Sequence, residues 1–268
     1  MANRQIGLGV RSDYVVHHLR CEQQETDEYL ITRTPANPYF YFGNTLALKV
    51  SLVSKSMLQW QALFCECFSG LPEVRHQTFI WVANDDMDEG LIQLFQQDGF
   101  LYEQNHVLSA GIEALQRPLA MDSEFVIRAF TEPGDWLQWY DEQMKSLLEQ
   151  ESGGDHQSYL QQRLYEYQLL QQRQYGCQFG VFAGSRLLAY AGVYHLNGLA
   201  RYQNVWVMPE YRNRGLARNL LFHMAEWVSQ FAAQQVIVAD ANYHATLLYQ
   251  GLGFQVVEHE CSLCRYPC

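Results

Sequence analysis

The sequence is short of positive charge: its 268 residues carry 18 Lys and Arg against 29 Asp and Glu, a formal net charge of -11. A non-specific nucleic-acid binder needs basic clusters to neutralise phosphates, so the balance argues against that class. No run reaches the roughly 18 consecutive apolar residues of a membrane-spanning helix. Residues 1–10 also lack the apolar stretch of a signal peptide. These absences read as a cytoplasmic protein with neither nucleic acid nor membrane as partner. The seven cysteines, an odd number without a secretory signal, read as thiols rather than a disulfide framework. Cys261 and Cys264 stand in C-x-x-C spacing, with His259 before them and Cys268 after. A structural zinc site usually pairs two such clusters, and the chain has no second one. The tail is expected to be a strand with ordinary cysteines, and no metal is expected.

Hydrophobic residues make up 48% of the chain and aromatics 14%, enough for one large core or two modest ones. The second half is the better organised. A β-rich run spans 125–130, and helical periodicity follows from Pro133 through Leu148 and again over 156–174, with 152–155 between them. Three β-like runs, 177–183, 187–195 and 200–208, are separated by Gly184-Ser185 and Asn197-Gly198, both suited to hairpin turns. An amphipathic helix is expected over 215–233, a short buried strand over 236–239, a helix over 242–250, and a last strand from Phe254. This order predicts a mixed α/β (α+β) domain around one central sheet.

The segment from Val205 to Arg218 carries the chemistry. A β-run, Val205, Trp206 and Val207, meets Pro209 and then a basic turn of Arg212, Asn213 and Arg214 before Gly215, Leu216, Ala217 and Arg218 open a helix. The first turn of a helix offers unpaired N–H groups and a partial positive charge, which suit phosphate. Gly215 lets the backbone approach a ligand, and the arginines add charge. Pro209 cannot donate a ladder hydrogen bond, so the strand should splay there and leave backbone free for an extended ligand.

Arg212, Gly215 and Ala217 stand in the pattern Q/R-x-x-G-x-G/A, which resembles the pyrophosphate-binding motif of the GNAT superfamily of N-acetyltransferases. Downstream, Asn242, Ala245, Leu248, Tyr249, Gly253 and Phe254 match that family's N-x-x-A-x-x-L-Y-x-x-x-G-F signature at every fixed position. The resemblance covers residues 122–268. It implies a mostly antiparallel central sheet flanked by helices, with acetyl-coenzyme A as acyl donor in a gap between the domain's fourth and fifth strands. By that resemblance Val205 to Val207 hold the pantetheine arm, the N–H groups of about 213–218 cradle the pyrophosphate, and Asn242 contacts the cofactor's arm. Asn242 would serve equally as a helix N-cap. Tyr249 matches the general acid that protonates the departing thiolate; its phenol, with an ordinary pKa near 10, suits that role. The implied activity is acetyl transfer to a primary amine on a small molecule or peptide; the alternative is a coenzyme-A-binding, non-catalytic module with a structural or regulatory role. The general base departs from the family pattern, since Ile237 stands where a glutamate is common. Asp240, His195 and Tyr202 are the candidates.

Residues 1–118 hold no comparable phosphate turn. Leu94, Phe95, Gly99 and Phe100 nevertheless line up with Leu248, Tyr249, Gly253 and Phe254, between strand-like runs at 78–83 and 101–110. The expectation is a partial, degenerate second GNAT-like domain, with Phe95 in place of Tyr249 and Asp88 in place of Asn242. Its role would be to complete the sheet or wall the acceptor site. The aromatic stretch 38–44 reads as core strand, with lining of such an acceptor site as the alternative, and the join is expected within 109–123. A homodimer stays open.

Overall fold

The computed structural model describes residues 5–83, 88–149, 155–241 and 245–266. In the first part, α1 (Leu8–His17) leads into β1 (Glu22–Glu25), β2 (Tyr29–Arg33) and β3 (Thr45–Leu48). Then follow α2 (Met57–Cys67), β4 (Gln77–Val82), α3 (Glu89–Gln97) and β5 (Leu101–Ala110). The second part runs β6 (Val126–Ala129), α4 (Pro133–Glu149), α5 (His156–Gln172), β7 (Gly176–Ala183), β8 (Arg186–Leu196) and β9 (Gly198–Val207). It closes with α6 (Leu216–Val228), β10 (Ala232–Asp240), α7 (Ala245–Gln250) and β11 (Gln255–Arg265).

Among the described residues all the strands join one sheet of eleven, in the order β1-β2-β3-β4-β11-β5-β10-β9-β8-β7-β6. Among the described residues β3–β4 and β9–β10 are the parallel pairs and the other neighbours run antiparallel, which makes the sheet mostly antiparallel. The order reads nearly the same from either edge. The series β3-α2-β4-α3-β5 repeats as β9-α6-β10-α7-β11, each with its parallel pair. The last strands of the two series are exchanged. β11 from the end of the chain lies between β4 and β5, while β5 from the first part lies against β10. The N-terminal part thus completes the sheet of the C-terminal part, and the reverse also holds.

Helices α6 and α7 cover one core around Leu220, Met224, Ile237 and Tyr249. The corresponding α2 and α3 cover a core of Trp60, Phe64, Phe79 and Phe95. On the opposite face α1, α4 and α5 bury Val16, Trp139, Tyr167 and Tyr194. The Asn197–Gly198 turn falls between β8 and β9 with both residues left-handed, at φ 51 and 80, the geometry of a two-residue hairpin.

Three local expectations change. The sixth helix ends at Val228 rather than near 233, and β10 starts at Ala232, earlier than the run 236–239 suggested. Ala232 pairs with Gly198 and is 3% exposed, so parallel pairing takes over residues whose apolar spacing also suits a helix. The aromatic stretch 38–44 is not a strand: a 3-10 turn occupies Tyr41–Gly43, and Asn44 is buried and donates to the Asn37 and Phe40 carbonyls.

Candidate active site

The gap foreseen beside β9 is present, and the register explains it. β9 pairs with β10 only from Gly198 to Arg201, while β10 stays with β5 as far as Asp240. Beyond Arg201 the two parallel strands part. On the other edge, β9 keeps its bonds to β8 through a bulge: Tyr190 faces Trp206 and Gly192 faces Gln203, so Asn204 and Val205 together oppose Ala191. Asn204 takes the left-handed φ of 52 that this extra residue requires. A bulge bends and twists its strand, here at the point where the gap opens.

After β9, a 3-10 turn at Pro209–Tyr211 leads to Asn213 and Gly215, both left-handed at φ 61 and 77. Gly215 is the N-cap of α6, and among the described residues no side chain caps that helix start. A Cβ on Gly215 would meet only Asn219 Nδ2, at 3.6 Å, so the approach to the helix start is open. The matching helix of the first part is closed. Ser56 accepts from the Gln59 N–H and Gln59 reaches back to Ser56, a capping box that uses the α2 terminus internally. Phe95, fully buried, packs edge-on to Phe100 at 5.0 Å, and Asp88 accepts from the Leu91 N–H at 3.2 Å as the α3 N-cap.

A cavity of about 670 Å³ brings together Val205, Trp206, Val207, Arg212, Asn213, Gly215, Leu216, Ala217, Arg218 and Tyr249. Tyr211, Ala245, Leu247 and Leu248 complete its wall. Sequence reading did not single these four out as lining residues. The signal for one of them was there, because Ala245 lies four residues before Tyr249 and shares its helical face. Arg214 does not line the cavity. Its guanidinium pairs with Asp122 at 2.6 Å and Glu124 at 3.5 Å, and lies over the Phe125 ring at 4.8 Å. Arg212 donates to the Val207 carbonyl at 3.3 Å, and the Arg218 guanidinium packs against Gly251. Asn242 falls outside the described residues.

Tyr249, 6% exposed, is held in α7 with its ring in the core beneath the sheet and one side on the cavity. Of the three base candidates, His195 stacks on Phe231 at 4.4 Å, at the end of β8 where β9 and β10 are still paired. Burial lowers its pKa. Tyr202 is buried and donates to Gln235 Oε1 at 2.6 Å, and burial pushes its phenol far up. None of the three candidates, Asp240 included, lines the cavity. Asp240 is the exposed last residue of β10, at the open end of the gap.

The strand pair parts over a helix start without a side-chain cap among the described residues, and the chain has the mixed α/β fold of the GNAT proteins. Residues 136–254 match the model of the acetyltransferase (GNAT) family, and this stretch of the chain is a GNAT domain. The chain superposes on a functionally unknown conserved protein from Staphylococcus epidermidis with a TM-score of 0.75 and 16% identity, over 92% of this chain and 95% of that one. A GCN5-related N-acetyltransferase from Kribbella flavida gives 0.64 and 11%, over 97% and 96%. A tandem GNAT protein from the clavulanic acid biosynthesis pathway gives 0.54 and 12%, over 89% and 78%. No curated protein matches the chain in sequence. Among the described residues, no helix is long and apolar enough to cross a membrane.

Proposed function

We propose that this chain transfers an acetyl group from acetyl-coenzyme A to a primary amine of a small molecule or peptide, by direct attack while both are bound. The observation that carries the reading is the cavity where the parted β9, the open start of α6 and Tyr249 meet. The backbone of Val205 to Val207 has the extended geometry to pair with the amide-bearing pantetheine arm. The N–H groups of Leu216 to Arg218, aided by Arg212 and Arg218, favour the pyrophosphate.

In the transfer the neutral amine nitrogen attacks the thioester carbon, the tetrahedral intermediate collapses, and the carbon–sulfur bond breaks. Tyr249 gives its phenolic proton to the departing thiolate. The proton shed by the nitrogen leaves through water, and Asp240, at the end of β10, is the carboxylate assigned to take it. Holding amine and thioester together supplies much of the rate without a strong base. The first part of the chain, with its capped α2 and with Phe95 in place of an acid, has the supporting role of completing the sheet. The test is the Tyr249→Phe variant, followed by free-thiol release from acetyl-coenzyme A with a panel of primary amines. Turnover should fall by about 100-fold, the scale of one general acid, with little change in donor affinity. Undiminished turnover would remove Tyr249 from the chemistry.

A further inference from the structure

The bulge that opens the gap is tied to the opposite face of the sheet. Asn204 Nδ2 donates to the Tyr167 hydroxyl at 3.2 Å. Tyr167 has no room to follow a moving partner. It is fully buried on α5, stacked on Tyr194 at 5.3 Å and edge-on to Trp139 at 5.7 Å. Its hydroxyl also accepts from Arg163, whose guanidinium binds Glu166 as well. The N-terminal part closes the cluster: His17 of α1 lies 3.2 Å from Glu166, and Phe40 lies 4.5 Å beneath the Arg163 guanidinium. Arg163, Glu166 and His17 are each at most 4% exposed. A buried charged cluster with its partners in place is rigid, because moving any member leaves a charge unpaired.

The gap itself is in tension with ordinary sheet physics. Past Arg201 and Val236 the two parallel strands leave backbone groups that further pairing would satisfy. Flattening the bulge would let β9 close on β10 and remove the groove. A left-handed residue with an extra hydrogen bond to a fixed partner opposes that closure.

We propose that the Arg163–Glu166–Tyr167 cluster, held by His17 and Phe40 of the N-terminal part, positions the Asn204 bulge and so keeps the gap open for the pantetheine arm of the donor. The inference rests on the cleft being a coenzyme A site. It gives the N-terminal part a second task, setting donor affinity from the face opposite the cavity. Tyr167 and Asn204 are positioning residues that act through the shape of β9.

The test compares the full chain with Tyr167→Phe, Asn204→Gly and the double variant. Asn204→Gly keeps the left-handed backbone without a steric penalty and removes only the tether. Each is titrated by calorimetry with coenzyme A, which fills the strand gap, and with ADP, which reaches only the helix start. One neutral hydrogen bond corresponds to roughly a 3- to 10-fold change in affinity. Each single variant should weaken coenzyme A by about that factor and leave ADP unchanged, and the double variant should be no worse than the singles. Unchanged coenzyme A affinity in both singles overturns the inference, as does a parallel loss of both ligands, which marks general damage. A parent chain that binds ADP and coenzyme A equally weakly overturns the coenzyme A reading itself, and the tether with it.

Discussion

Glu260 gives the fold a pH dependence whose sign and size follow from its surroundings. It lies on β11, 6% exposed, with α1 pressed against it so closely that a Cβ on Gly9 would overlap its carboxylate. Its Oε2 finds no hydrogen-bond partner among the described residues. Burial, then the nearby Asp13 carboxylate, raises its pKa, Arg201 opposes them, and the result is about 8 against an ordinary 4.5. Between those two values the folded chain holds a proton that the unfolded chain has released, so stability falls as pH rises through the window. Below it the group costs nothing, and above about 8 the full cost is present. At about 1.36 kcal/mol per pH unit the ceiling is about 5 kcal/mol, and relaxation around the ionised group brings the expected cost to roughly 2 kcal/mol. Glu260→Gln keeps the neutral shape and removes the titration. In paired thermal melts the variant should exceed the parent by roughly 5 °C at pH 8 or above, and the difference should vanish towards the acid end. Melting curves that stay parallel across the window would refute the argument.

Two further substitutions separate structural roles from functional ones. Gly253→Ala places a methyl against the Ala114 carbonyl at a φ of 109, where side chains are strained, and should cost about 2 kcal/mol by chemical denaturation; a cost near zero would mean that the 111–115 segment moves freely aside. Ser56→Ala removes the capping box of α2 and should lower stability by about 1 kcal/mol without changing acetyl-coenzyme A binding, since that helix start faces no part of the proposed site.

Much of the second half was legible because its signals are local. The turn at Asn197–Gly198, the glycine that starts α6 and the helical spacing of Ala245, Leu248 and Tyr249 each follow from a few neighbouring residues. The exchange of β5 and β11 was hidden for the opposite reason. Both strands would fit either slot by their apolar pattern, and the choice between slots is made by contacts over 100 residues away in sequence. Arg214 shows the limit at the site. Counting cations near a turn cannot reveal that Asp122 and Glu124 fold back to claim one of them. The aromatics at 38–44 have strand-forming residue types, yet Asn37 and Asn44 turn the chain there, and Phe40 serves as the base under Arg163.

The central claim is that one donor molecule binds between β9 and β10 with its pyrophosphate at the start of α6. Calorimetric titration of the full chain with acetyl-coenzyme A, beside Gly215→Glu, tests it most directly. A Cβ at Gly215 meets only Asn219 Nδ2 at 3.6 Å, an ordinary contact, and a carboxylate at a helix start offsets part of the left-handed strain, so the variant should stay folded. The same carboxylate, roughly 5 Å from the phosphates, adds about 3 kcal/mol of repulsion, more than a 100-fold loss. The account predicts one site per chain in the parent and none in a folded variant. Equal binding by the two would contradict it, and so would two sites in the parent.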